Sequence, residues 1–392
     1  MRPIALRAAA LFDGSGRRLI HDPLVLVRDG RVADVAIGPR APVPPDAELV
    51  ELPGATLLPG LVDTHVHLAF DAGPDPVGAL AGRDDEGVLA AMVDAARAQV
   101  RAGVTTVRDL GDRGYLSLRL RDDAVPGGPL PTIVAAGPPI TTPGGHCHFL
   151  GGEAEGVGGV RAAVREHVER GVDVIKVMAG GGQLTPGSLA HEPQFTVEEL
   201  RVIVDEAHRC GLPVTAHAHA LEGIRNSLAA GVDGIEHCGF HTVDGVHAPP
   251  DLVTALVDRR VAIGFTGGIA PSDVPPPPEI LRRLPAITAL FTRLWQLGAL
   301  LVVGTDAGIA PVKPHATMPY GMTHLASLGV PAADVLRTCT ATAAEVCGLG
   351  DRKGRVAPGF DADLVAVQGD PLADLAVMHR PQAVFVGGER IG

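Results

Sequence analysis

Through the middle of the chain, short apolar runs alternate with stretches whose apolar residues recur at helical spacing. That alternation predicts repeated βα units around a parallel sheet, because a strand covered on both faces reads as a continuous apolar run while its covering helix shows one apolar stripe. The strand-like runs end near His65, Asp109, Gly137, Met178, His217, Cys238, Thr266 and Asp306. Eight is the strand number of a (β/α)8 TIM barrel. One of the intervening helices, over 196–210, carries its own start signal: Thr196 stands at the N-cap and Glu199 follows three residues on, the capping-box pattern. The prolines at 275–278 read as a stiff loop after the seventh strand.

The two ends have a different pattern. Residues 1–58 give short strands at 24–27 and 31–37 around a turn at Asp29 and Gly30, and Pro and Gly interrupt the region too often for helices. The opening apolar residues are broken by Arg7 and run into a turn at 13–16, which predicts a first strand and hairpin rather than a secretion signal. Strand-like runs return at 362–367 and 383–386, ahead of Gly387 and Gly388. The expected fold class is α/β: a TIM-barrel domain over 59–354, flanked by a small β-sandwich domain built from 1–58 and 355–392.

Composition changes this picture little but narrows the partners. The 392 residues suit a barrel of roughly 250 residues plus a second module. Hydrophobic residues make up 46% and aromatic ones only 3%, so the core must be built from Val, Leu, Ile and Ala. A formal charge of −12, with no run of Lys and Arg, lacks the footprint of a nucleic-acid binder. No apolar run reaches transmembrane length, so no membrane partner is expected. Five cysteines without a Cys-x-x-Cys pair do not form a disulfide framework, and a cytoplasmic location is expected.

The candidate chemistry lies where a barrel keeps it, at the C-terminal ends of the strands. His65 and His67 alternate in Val62-Asp-Thr-His-Val-His-Leu68, so both side chains point the same way from one strand and suit a shared metal ion. Lys176 lies inside the apolar run Val172-Asp-Val-Ile-Lys-Val-Met178. Either it snorkels to the rim, or burial leaves it a neutral amine that adds to carbon dioxide and, as a carbamate, bridges two cations. His217, His237 and Asp306 end three further apolar runs. Taken singly, each is explicable as a satisfied core polar residue. Six residues of metal-ligand type, all at predicted strand ends, favour a metal site.

With those residues placed, the chain resembles the amidohydrolase superfamily, and within it the imidazolonepropionase-like branch of prolidase-like and Xaa-Arg dipeptidases and ochratoxinase-like amidases. The resemblance runs through Leu58-Pro-Gly-Leu-Val-Asp-Thr-His-Val-His67, Gly103-Val-Thr-Thr-Val-Arg-Asp109, Gly144-Gly-His146, Ile175-Lys-Val-Met-Ala-Gly-Gly-Gly182, Ala216-His-Ala-His219, Ile235-Glu-His237, Gly304-Thr-Asp306 and Gly359-Phe-Asp-Ala-Asp-Leu-Val365. It implies two divalent ions, zinc foremost. His65, His67 and Asp306 would hold the more buried ion, His217 and His237 the more exposed one, and Lys176, N-carboxylated by CO2, would bridge both. A metal-bridging hydroxide would attack, with Asp306 as the proton acceptor. His146 resembles the residue that donates to the substrate carbonyl, and His219 occupies a position where relatives carry a substrate contact. Arg108 and Asp109 look structural, and His241 looks solvated.

The resemblance implies hydrolysis of the C–N amide bond of a dipeptide, an N-acyl amino acid or a related small amide. It leaves homo-oligomerisation open. Three alternatives remain, one of them a non-enzymatic assembly protein that kept the barrel but lost the metals, which the six filled ligand positions disfavour. The spacing of His219 and Glu222 is that of mononuclear deaminases and cyclic-imide hydrolases of the superfamily, a register that leaves Lys176 without a task. A lactonase would use the same binuclear site.

Overall fold

A computed structural model of the chain describes residues 2–273 and 275–391. Its middle consists of eight parallel strands, β1 (Leu61–Val66), β2 (Val104–Asp109), β3 (Thr132–Ala135), β4 (Ile175–Met178), β5 (Val214–Ala220), β6 (Gly234–Thr242), β7 (Ala262–Phe265) and β8 (Leu301–Val303). They form two sheets: β1, β2 and β3 pair in order, as do β4 to β8, with the short strand Gly245–Val246 added against β6. Single parallel bridges stand where the two sheets meet, Val66 with Ala307 and Ile140 with Val177. Nearly every residue of these strands is buried, which is why their sequences read as unbroken apolar runs.

The strand ends predicted at Asp109 and Met178 coincide with those observed, and most others lie within three residues. Two shifts bear on the site. Strand β6 continues past Cys238 to Thr242, and β8 stops at Val303, so Asp306 stands in the segment beyond its strand. The helix expected over 196–210 forms at Val197–Arg209, and its capping box is present in both directions between Thr196 and Glu199. The proline run leads into the helix Pro278–Gln296, with Pro278 in its first turn, where a missing N–H costs nothing.

The termini share one sheet. Strand Glu48–Pro59 lies parallel to Ile4–Leu11 on one side and antiparallel to Leu364–Gln368 on the other, so the C-terminal strand is laid against the N-terminal ones. Pro23–Arg28, Arg31–Ile37, Pro381–Val386 and Glu389–Ile391 complete the row, and Ile20–His21 pairs with Ile4–Leu11. The turn read at Asp29 and Gly30 has both residues at positive φ, the geometry of a tight hairpin. Glu48–Pro59 runs through Gly60 directly into β1, which ties this sheet to the strand that carries His65 and leads into His67. No helix among the described residues is long and apolar enough to cross a membrane.

The capping box gives a direct check on this reading of the local sequence. Thr196→Ala should lower unfolding stability by about 1 kcal/mol, measured as a shift in the chemical-denaturation midpoint. An unchanged midpoint would contradict the cap.

Candidate metal centre

The polar residues beyond β1 and β8 are laced together before any ligand is considered. Asp63, buried in β1, accepts from Thr305 N at 2.9 Å, Thr305 Oγ1 at 2.6 Å and His65 N at 3.2 Å. The backbone N–H of Asp306 donates to His65 O at 2.7 Å, and that of His67 to Ala307 O at 3.0 Å. Gly304 allows this approach, since a Cβ there would lie 2.5 Å from the Cβ of His65. Asp306 itself has φ +56°, a conformation that a non-glycine residue holds only when its surroundings fix it.

This lacing brings His65 Nε2 within 3.3 Å of His67 Nε2, and each of them within 3.5 Å of Asp306 Oδ1. The far side of each ring sets its tautomer. His67 Nδ1 lies 3.0 Å from Gly111 O, which only accepts, so the proton sits on Nδ1. His65 Nδ1 lies 3.0 Å from Glu236 Oε2. That carboxylate stays ionised against its own burial because Arg108 and His65 hold it far below the usual carboxylate range. Two imidazole lone pairs and a carboxylate oxygen therefore face one another. A tetrahedral ion with bonds of about 2.0–2.1 Å has ligand edges of about 3.3–3.4 Å, and the donor set fits such an ion. Burial opposes a charge on His67, but the Asp306 carboxylate outweighs it and raises the His67 pKa.

A second group adjoins the first. The ligand atoms of His217, His219 and His237 lie within 4.8 Å of one another. The ring of His237 stands 4.6 Å from that of His217 and 5.2 Å from that of His65, which links the two groups. His217 Nε2 donates to Gly181 O at 3.2 Å, leaving Nδ1 as its lone pair, and His237 Nδ1 meets Thr266 Oγ1 at 2.9 Å. His237 and Cys238 both take positive φ, which breaks the alternation of β6 at the site. Burial pushes His217 and His237 well below the ordinary histidine range.

Lys176 is 1% exposed, and its Nζ has no hydrogen-bond partner. Of the two readings open from sequence, the snorkelling one fails. Burial lowers its pKa to about 8, with Glu236 and Asp306 pulling the other way. A buried amine with no partner fits a group that is chemically completed by something the chain does not itself supply.

His146 lies in the loop after β3, its ring 4.8 Å from that of His217. Its N–H donates to Gln194 Oε1 at 2.5 Å and its Nδ1 lies 3.2 Å from Thr185 Oγ1, which already accepts from Cys147 N at 2.8 Å. The threonine hydroxyl keeps its proton for Nδ1, and in the tautomer that accepts it Nε2–H is a donor. Burial holds His146 at about 4, so it is neutral near pH 7. Gly182 makes room for the ring: a Cβ there would stand 2.3 Å from His146 Nε2. His219 belongs spatially to the imidazole cluster, stacked on His237 at 4.4 Å and 18°.

Three groups escaped the sequence reading. Glu236 orients His65 while accepting from Arg108 Nη2 at 2.9 Å and Thr215 Oγ1 at 2.7 Å. Its signal was a charged residue inside the apolar run before His237. Lys313 Nζ, placed beyond β8, donates to Thr266 O and Thr305 O, each at 2.8 Å, and so joins the segment whose Thr266 meets the His237 ring to the one that carries Asp306. His241, expected to be solvated, is 8% exposed and stacks on His219 at 4.8 Å and 13°. The extension of β6 past Cys238 carries it inward.

The amidohydrolase family profile matches residues 56–391. The chain belongs to that family. It is accordingly a metal-dependent hydrolase acting on C–N bonds. The ochratoxinase of Aspergillus niger is 28% identical to this amidohydrolase over 367 residues, 84% of this chain and 73% of the relative. The imidazolonepropionase of Deinococcus deserti is 27% identical over 396 residues, 91% of this chain and 88% of the relative. Among solved structures, a Xaa-Pro dipeptidase with methionine bound in its active site aligns over 99% of both chains, with a TM-score of 0.87 at 27% identity.

The depressed histidines give the metal-free protein a distinct pH profile. His65 and His146 are held near 4 by burial, whereas an unfolded histidine titrates near about 6.5. Between those values the unfolded chain binds more protons, so stability falls as pH falls. His67, shifted the other way, offsets part of this loss. The melting temperature of metal-free protein should therefore drop steeply from about pH 6.5 to about pH 4. A flat profile across that interval would mean that these rings are not buried as neutral bases.

Proposed function

We propose that this chain is a binuclear amidohydrolase that cleaves the amide bond of a dipeptide, an N-acyl amino acid or a related small amide. The observation that carries the reading is the meeting of two ligand groups beside a buried, unpartnered lysine. In this reading His65, His67 and Asp306 would hold one divalent ion, His217 and His237 would hold a second, and Lys176, as a carbamate, would supply an anionic ligand to them. Lys176 is suited to that modification because burial leaves a usable fraction of free amine near neutral pH. The amine nitrogen adds to CO2, releases a proton and becomes an anion with two ligand oxygens. The nitrogen and carboxylate donors suit zinc.

Bound divalent ions supply Lewis acidity, polarising a carbonyl and bringing the pKa of water toward about 7. The chain's own residues do the rest. Asp306, held ionised by His65, His67 and Lys313 against its burial, is placed to accept a proton from the attacking water and return it to the leaving amine. His146 is placed to donate from Nε2 to the carbonyl oxygen as negative charge grows on it. The two parallel sheets, on this proposal, close into a (β/α)8 barrel over 59–354 with the centre at its C-terminal mouth, and the terminal sheet over 1–58 and 355–392 is the outer layer of a small sandwich. The bridges at Val66 and Ile140 support closure.

A mononuclear deaminase or cyclic-imide hydrolase, with His219 as a ligand, is favoured by the closeness of His219 to His217 and His237. The near-parallel stack of His219 on His237 tells against it, since two rings face to face aim their in-plane lone pairs side by side rather than at one point.

Zinc-loaded protein should hydrolyse members of a panel of dipeptides and N-acyl amino acids in preference to lactones and aminopurines. Turnover confined to aminopurines, with ammonia released, would sink the amidase reading. Lys176→Ala should lose most of its bound metal by elemental analysis, and wild-type protein given 13C-bicarbonate should show a carbamate resonance that the variant lacks. Metal content and rate unaffected by the substitution would refute the bridge.

A further inference from the structure

A cavity opens at the N-terminal ends of the strands, away from the loops that carry the metal centre. It encloses about 470 Å³, within the range of about 300–1,000 Å³ usual for small-molecule sites. Residues that lead into the strands wall it: Val174 before β4, Val214 in β5, Val232 before β6 and Leu300 before β8. They give it an apolar waist. Its polar lining is sorted by depth. Arg108, 4% exposed, and Thr215, 2% exposed, stand at the inner end, and the exposed Arg259 and Arg260 stand at the mouth. The acids in the lining are already engaged by groups outside it. Asp233 Oδ2 accepts from Val214 N and meets His208 Nε2, each at 2.8 Å, and Glu345 accepts from Arg355 Nη2 at 2.8 Å. The arginines keep donors in reserve. Arg108 spends Nε on Thr64 O at 2.7 Å and Nη2 on Glu236 Oε1 at 2.9 Å, which leaves Nη1 for the cavity. Arg259 donates from Nη1 to Leu228 O at 2.8 Å, and neither it nor Arg260 forms an ion pair among the described residues. Spare N–H groups and positive charge around an apolar space call for an acceptor with an apolar body.

We infer that this cavity binds a small organic anion with an apolar body, and that this anion and a cation in the metal centre strengthen each other's binding. The charged end meets Arg108 Nη1, the apolar body fills the waist, and Arg259 and Arg260 draw the anion in. One carboxylate separates the two places. Arg108 and Thr215 both donate to Glu236 Oε1, at 2.9 and 2.7 Å, while Oε2 of the same group lies 3.0 Å from His65 Nδ1. Arg108 therefore brings positive charge up behind a ring whose other nitrogen faces the centre. An anion on Arg108 cancels part of that charge, and a divalent ion then meets less repulsion from behind. Coupling between two binding equilibria acts equally in both directions, so a cation in the centre tightens the anion by the same factor.

Calorimetry on metal-free protein with 4-phenylbutanoate and 4-phenylbutanol tests the site whatever bond the metal centre cleaves. The acid should bind more tightly than the alcohol, by on the order of tenfold. Leu300→Trp, which fills the cavity from its wall, should abolish binding of the acid. Arg259→Ala combined with Arg260→Gly should weaken it by on the order of three- to tenfold. Both of these positions are exposed, and glycine suits the φ of +52° at Arg260, so the double variant decides the matter if Leu300→Trp does not fold. Equal binding of acid and alcohol, no binding of the acid, or acid binding that survives the substitutions would overturn the site. The coupling is read by zinc titration: saturating acid should raise zinc affinity in wild type by on the order of fivefold, with a smaller gain in the double variant. Zinc affinity indifferent to bound acid would refute the coupling.

Discussion

Two imidazole lone pairs and a carboxylate oxygen held 3.3–3.5 Å apart in a buried pocket repel one another unless positive charge lies between them. The surrounding structure keeps them together nonetheless. Asp63 clamps the end of β1 to the segment beyond β8, and the backbone bonds from Asp306 to His65 and from His67 to Ala307 fix the register of the two ligand loops. Gly111 and Glu236 occupy the outer nitrogens of the two rings, so neither ring is able to relieve the repulsion by turning its protonated edge inward. A site organised in this way is already in the geometry that a cation requires, and binding costs little rearrangement.

Charge is balanced around that pocket by pairs reaching in from outside it. Glu236 is buried between Arg108 and His65 and remains ionised, which makes it a firm acceptor for the His65 ring. Lys313 contributes a positive charge near Asp306 while its amine satisfies two carbonyls at once. Lys176 differs from both. Its buried amine meets no acceptor, and the Glu236 and Asp306 charges alone do not offset its burial. Arg108 and Lys313 have acceptors within reach, and Lys176 has none.

Much of this was legible in the chain because strands buried on both faces leave an unmistakable trace. His65 and His67 show by their alternation that they share a face, and Lys176 stands out as a charge within an apolar run. Glu236 offered the same signal as Lys176, a charge within an apolar run, but its partner, the His65 ring, lies on another strand and leaves no local trace. Asp306 was placed at a strand end, whereas β8 stops three residues earlier, because the run of small and apolar residues continues into a loop held in shape by Asp63. His241 was misjudged for a different reason. Nothing local indicates that β6 bends at His237 and Cys238 and then continues to Thr242, since that path depends on positive φ at non-glycine residues, which tertiary contacts impose.

The two halves of the site are therefore encoded differently. The metal-facing half is built from strand ends, where burial and alternation leave little freedom and the residue types declare themselves. The outer half is built where β6 overruns its expected length and the helix Pro278–Gln296 folds over it, and Arg283 in that helix has an ordinary helical neighbour, Glu279, four residues earlier. From sequence alone that pair is a surface ion pair of small consequence. The placement of Arg283, 11% exposed, with Nη2 on Thr242 O of β6 and Nε buried without a partner, is a tertiary fact that this spacing does not reveal. A fold that hosts many chemistries can keep its inner strands nearly fixed while contacts at the rim change, so the rim carries the part of the site that local sequence spacing encodes least.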